Sequence, residues 1–166
     1  MIRPTQEHLL SILADNEVGT LARIVGTFAA RGYNIESITA GGLDDDQKKP
    51  SRIIIATEGT PAVIEQIKAQ LTRIVTVHSV DNLSRHEECI ERELLLIKIK
   101  PKCRKALAAL LERFEYRIIE QDSDWITYEL VSSQLTVNAF LDATQNTEAA
   151  EDVDFVRTGI IALRKH

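Results

Sequence analysis

The chain has 166 residues, 44% of them hydrophobic, with 25 acidic against 20 basic side chains and a formal net charge of -5. That much apolar material can bury a core in one domain or two small ones, while the acidic balance argues against a phosphate-tracking surface and hence against a nucleic-acid partner. The longest apolar runs, such as "RIIIA" and "ELLLI", fall far short of the ~20 residues of a bilayer span, and "MIRPTQEH" lacks the apolar core of a signal peptide, so the expectation is a cytoplasmic protein with no membrane partner.

The first predicted element is a strand, "HLLSILA" (residues 8–14), leading into a loop at Asp15 to Val18. A helix is predicted from Gly19 to Arg31, because Leu21, Ile24, Val25, Phe28 and Ala29 recur at i, i+3, i+4, i+7 and i+8 and build one apolar stripe. Gly32 supplies a left-handed cap at its end. "YNIESITA" (33–40) and "SRIIIAT" (51–57) read as strands of a hairpin, joined by "GGLDDDQKKP". Thr60 as N-cap and Pro61 at the first helical position open a second helix, with Val63, Ile64, Ile67, Leu71 and Ile74 toward the core. "VTVHSVD" (75–81) closes the unit as a fourth strand.

The order βαββαβ is that of a ferredoxin-like fold, two helices on one face of a four-stranded antiparallel sheet. After a polar stretch, "NLSRHEECIE", the same order repeats. It comprises strand "RELLLIKIK", a helix carrying Leu107, Leu110, Leu111 and Phe114, strands near "YRIIEQ" and "WITYELV", a helix carrying Val137, Phe140 and Leu141, and strand "VDFVRTGIIAL". The expected fold class is therefore α+β, with two ferredoxin-like domains at 1–82 and 83–166.

The loop and helix mouth in "ADNEVGTLARIVGTFAARGYNIESI" (14–38) admit two readings. A helix N-terminus presents free N–H groups and the positive end of the macrodipole, so it can hold a carboxylate. Gly19 would let the ligand approach the backbone, and Asn16 offers both a carbonyl for an ammonium and an NH2 for a carboxylate. That set matches an α-amino acid. In the plainer reading Asn16 shapes a turn, Gly19 eases helix entry and Gly32 caps the helix.

The pattern Asn-x-x-Gly-x-Leu-x-Arg, then Phe, then Arg-Gly-Tyr-Asn-Ile-Glu-Ser, resembles the N-terminal ACT domain of the small regulatory subunits of acetolactate synthase (acetohydroxyacid synthase). The resemblance continues in "SRIIIAT", "IEQIKAQLTRIVTV", "ERELLLIKIK" and the terminal "RTGIIALRK". Departures are Asp15 where a Glu is usual, Glu120 where an Asp is usual, and "SSQLTV" without the expected Gly. The resemblance implies a homodimer through ACT domains whose sheets join side by side, with feedback valine at the junction of two chains. By that resemblance Asn16, Val18, Gly19, Thr20 and Leu21 hold the charged end of valine, and Asn34 and Ile35 of the partner chain complete the pocket. It also implies a non-catalytic chain that activates a separate large catalytic subunit, the bearer of thiamine diphosphate, Mg2+ and flavin (FAD), in branched-chain amino acid biosynthesis. The first half is then the ligand and dimer half, and activation is expected in the second.

Other motifs point to less. "DDDQ" (44–47) lacks the spacing of a calcium loop, and "HEEC" (86–89) offers two zinc ligands without a second pair, so no metal site is expected. Cys89 and Cys103 form no CxxC motif, which suits a reducing compartment. No Ser-His-Asp signature, P-loop or GxGxxG fingerprint marks a catalytic residue. The rival to a regulatory subunit is a free-standing ACT-domain amino-acid sensor acting on another partner. The family-like second half favours the former.

Overall fold

β1 (Gln6–Ala14) runs through the middle of the first sheet, and α1 (Thr20–Ala29) returns the chain to an edge strand, β2 (Ser37–Gly42). β3 (Ser51–Gly59), α2 (Pro61–Leu71) and β4 (Val77–Asn82) complete the first βαββαβ set. A computed structural model describes residues 6–43, 50–83, 89–103, 111–145 and 153–165. Its first sheet has the antiparallel order β2-β3-β1-β4, and its second, built from β5 (Cys89–Ile99), β6 (Arg117–Gln121), β7 (Ile126–Ser132) and β8 (Val153–Arg157), has the equivalent order β6-β7-β5-β8. Both sheets thus have the ferredoxin-like arrangement. α3 (Gln134–Gln145) lies between β7 and β8 in the chain, and β9 (Ile161–Arg164) pairs with β5 off the four-strand path.

Local chemistry explains the helix ends. At α2, the Thr60 hydroxyl accepts from the N–H of Val63 and Pro61 fills the first turn, where its missing N–H costs nothing. At the end of α1, Gly32 is left-handed at φ 68°, and the N–H groups of Gly32 and Tyr33 reach back to the carbonyls of Ala29 and Phe28 at 3.2 and 3.0 Å. These two bonds form a Schellman closure. The β2–β3 hairpin is present, with Leu43 N–H on the Pro50 carbonyl, while Asp44, Asp45 and Asp46 lie outside the described residues.

β1 is buried on both faces. Leu10, Ile12 and Ala14 meet Ile24 and Phe28 of α1 and Ile64, Ile67 and Leu71 of α2. On the opposite face, Leu9, Ile54 and Ala56 are covered by Leu83, Ile160 and Ala162. The chain accordingly divides into Met1–Ile90 with Ile160–His166 as one unit and Glu91–Gly159 as the other. The stretch "VDFVRTGIIAL", read from sequence as one strand, is two: β8 and β9 are separated at Gly159, whose φ of 79° breaks the extended backbone. Only the part before that glycine stays with the second unit.

The second unit packs Leu95, Ile97 and Ile99 of β5 with Ile126, Tyr128 and Leu130 of β7 and Val137, Phe140 and Leu141 of α3. Leu111 and Phe114 join this core as expected, while Leu107 and Leu110 lie outside the described residues. Buried Glu93 receives a two-pronged bond from Arg157, at 2.9 and 2.6 Å, which satisfies the carboxylate and ties β5 to β8. Asp122 accepts the N–H groups of Trp125 and Asp124 at the β6–β7 turn, and these bonds hold its carboxyl below the usual range.

Candidate functional site

The stripe predicted for α1 is divided by the fold. Ile24 and Phe28 are fully buried, but Leu21, Val25 and Ala29 face outward, and Val18 before the helix is wholly exposed. An apolar strip therefore runs along the outside of the helix that begins at Gly19.

The loop before the helix is tethered at its start. The Asp15 N–H donates to the Thr76 carbonyl at 2.8 Å, and the Asp15 carboxylate lies 2.7 Å from Nε2 of His78. Next, the Thr20 N–H closes a turn on the Glu17 carbonyl at 3.2 Å, with Gly19 at φ 89° and ψ -10°. That is the third-position geometry of a type II turn, which favours glycine with or without a ligand. α1 then starts without a side-chain cap and with no acidic residue in its first turn, leaving its positive end uncompensated. The Asn16 amide is exposed and without a hydrogen-bond partner among the described residues. The Thr20 hydroxyl is buried, also without one.

Asn34 and Ile35 stand elsewhere. The Asn34 carbonyl accepts the Thr57 hydroxyl at 2.6 Å, its amide donates to the Glu36 carboxylate, and Ile35 packs half-buried against its own unit's core. Thr57 pairs with His8, six residues before the end of β1. At ~3.4 Å per residue this places Asn34 about 20 Å along the sheet from the Asn16–Gly19 loop. The structure brings Asn16, Val18, Gly19, Thr20 and Leu21 together, and within one chain it holds Asn34 and Ile35 apart from them.

A family model described as the small subunit-like ACT domain of AHAS matches residues 10–79, and one described as the small subunit of acetolactate synthase matches residues 92–166. The chain belongs to the acetolactate synthase small-subunit family. Among curated relatives, a probable acetolactate synthase small subunit of Archaeoglobus fulgidus is 33% identical over 159 residues, covering 95% of this chain and 96% of that protein. The isozyme 3 small subunit of Escherichia coli strain K12 is 35% identical, with 95% and 94% covered. The crystal structure of the small subunit from Thermotoga maritima superposes with a TM-score of 0.82 at 31% identity, over 97% of this chain and 98% of that one.

Of two further features of the site in this small-subunit family member, one is visible in the sequence spacing and the other is not. Arg23 lies four residues beyond Gly19, hence on the same helix face, and Asp15 with His78 forms a tether that no local spacing announces. Among the described residues there is no group of three or more potential metal ligands and no helix long and apolar enough to cross a membrane. Of "HEEC", only Cys89 falls among the described residues, its thiol donating to the Ile90 carbonyl at 3.7 Å.

Proposed function

We propose that this chain is the non-catalytic regulatory subunit of an acetolactate synthase. It activates a separate large subunit, which holds thiamine diphosphate, Mg2+ and FAD, and transmits feedback inhibition by valine. The observation that carries the valine reading is the separation of the two groups of site residues by about 20 Å of sheet. β2 is an edge strand, and an edge left with free N–H and C=O groups is a template for another strand. If two copies join antiparallel through β2, the start of one β2 meets the end of the other, where Gly42 pairs with Ser51 and Ser51 with Ala14. Asn34 of one chain then arrives at the Asn16–Gly19 loop of its partner, with the exposed Leu21 at the helix mouth beside it and Val25 one turn further along α1. A site assembled from two chains couples occupancy to the arrangement of the dimer, as a feedback switch requires.

Cross-complementation tests the shared site. Gly19→Asp and Asn34→Ala homodimers should each bind valine poorly, the second by roughly 10- to 100-fold from the loss of hydrogen bonds to a charged ligand. A hybrid dimer carries one doubly altered and one intact site, so mixed and re-equilibrated chains should regain parental affinity at one site per hybrid. Calorimetry showing no regain in demonstrated hybrids would place Gly19 and Asn34 on separate sites.

Activation is assigned to the second unit, where Leu95 and Ile97 face the core and the alternate residues Leu94 and Leu96 pair with exposed Val131 and Val156 on the other face. Val131→Asp with Val156→Asp should lower the stimulation of pyruvate condensation by the large subunit several-fold, without loss of folding, since both positions are solvent-exposed. Unchanged stimulation would move the activating contact to the first unit. A chain cut at residue 82 answers this less cleanly, because it strips the apolar cover from Leu9, Ile54 and Ala56.

A further inference from the structure

The structure assigns Arg23 to the amino-acid site as the side chain that recognises the ligand's carboxylate; this rests on the valine reading above. Three observations support it. First, Arg23 sits one turn into α1, its N–H on the Gly19 carbonyl at 3.0 Å, and its side chain turns back toward the helix mouth, as helical side chains do. Its Nη2 lies 3.9 Å from the point where a Cβ on Gly19 would stand, so the guanidinium hangs over the turn that shapes the site. Second, the guanidinium has no ion-pair or hydrogen-bond partner among the described residues, although Glu17 is only six residues away. A cation beside an uncapped helix N-terminus thus has no anion to neutralise among the described residues. Third, the Thr20 hydroxyl, at the first position of the same helix, is buried and has no hydrogen-bond partner among the described residues, so this helix start carries a second polar group left unsatisfied.

The neighbouring groove is distinct from the mouth: Arg23 borders it, but Asn16, Val18, Gly19, Thr20 and Leu21 do not. A depression of about 610 Å3 between α1 and the end of α2 is lined by Arg23, Arg31, Gln70 and Val75 among others. Arg31 lies beyond the end of α1, eight residues from Arg23 and roughly 12 Å away at a helical rise per residue, too far to share one carboxylate. Among the described residues lining the groove, Arg23 is the one that comes near Gly19. A planar guanidinium with paired donors matches a carboxylate better than the single backbone N–H groups of the mouth do. It therefore favours ligands with a free α-carboxylate over amides of the same side chain.

The test uses the full chain, titrated calorimetrically with valine and with valinamide. Arg23→Gln should weaken valine roughly 10- to 100-fold, the weight of one charge-assisted hydrogen bond, and should flatten the salt dependence of valine binding. Valinamide affinity should be unchanged within twofold. Arg23→Lys should fall between, and Arg31→Gln should bind valine like the parent. Parental valine affinity in Arg23→Gln, or an equal loss for valine and valinamide, overturns the assignment. A parent chain that binds no valine overturns the proposed function itself, which keeps the two failures distinct.

Discussion

Gly19→Asp is expected to abolish inhibition by valine while the chain still folds and still stimulates its large subunit. The left-handed φ of 89° at Gly19 makes any side chain there strained, by about 1–2 kcal/mol, with Asp among the better tolerated residues. Two effects oppose that strain. An acid at the mouth of α1 gains ~0.3–1 kcal/mol from the dipole, and its Cβ would stand in ordinary contact distance of the Arg23 guanidinium. The net loss is small beside a domain stability of ~5–15 kcal/mol, so melting should fall by only a few degrees. Binding is another matter. The new carboxylate stands where the ligand's would be and takes both the N–H groups and Arg23. Two like charges at ~4 Å repel by about 4 kcal/mol at an effective dielectric of 20, a loss of order a thousandfold. Gly19→Ala separates strain from charge: it shares the backbone penalty, adds no charge, and should keep most of the valine affinity. If calorimetry showed Gly19→Asp binding valine as the parent does, the Asn-x-x-Gly loop would be a turn and helix entry and nothing more.

Ile160→Asp is expected to destabilise the first unit by ~4 kcal/mol or more, although the residue lies near the end of the chain. Ile160 is 1% exposed, packed with Leu9, Ile54, Ala56 and Leu83, and its carbonyl accepts the Thr39 hydroxyl from β2 at 3.1 Å. Substitution removes a buried aliphatic side chain and places an unpaired charge in its position, two of the mechanisms that produce the largest single-residue losses. Hydrogen exchange locates the damage: amides of β1 and β3 should lose protection before those of β7. Ile161→Asp, one residue on and more than half exposed, should change stability by less than ~0.5 kcal/mol. Loss of protection confined to β5, β7 and β8 would return Ile160 to the second unit.

The elements and their order were legible because their signals are local. Thr60-Pro61 caps α2, Gly32 closes α1, and short apolar runs bounded by polar or turn residues mark β1, β3, β5 and β7, so the doubled βαββαβ order and the ferredoxin-like class follow from residues a few positions apart. Gly19 was legible as special, but not why, since a turn and a ligand both call for glycine there. Periodicity identifies residues that require burial; it does not identify what buries them. Leu21 and Val25 share the α1 stripe with Ile24 and Phe28, yet the helix rolls only the latter pair onto the sheet and leaves the former outside. Ile160 and Ala162 alternate as any half-buried strand does, and only the left-handed step at Gly159 and the apolar face of Leu9, Ile54 and Ala56 decide that they complete the first unit. Asn16 and Asn34, eighteen residues apart in the chain, are set at opposite ends of one sheet by the parallel run of β1 and β2 on either side of β3. That placement is a property of strand order, a nonlocal pairing that no window of sequence contains.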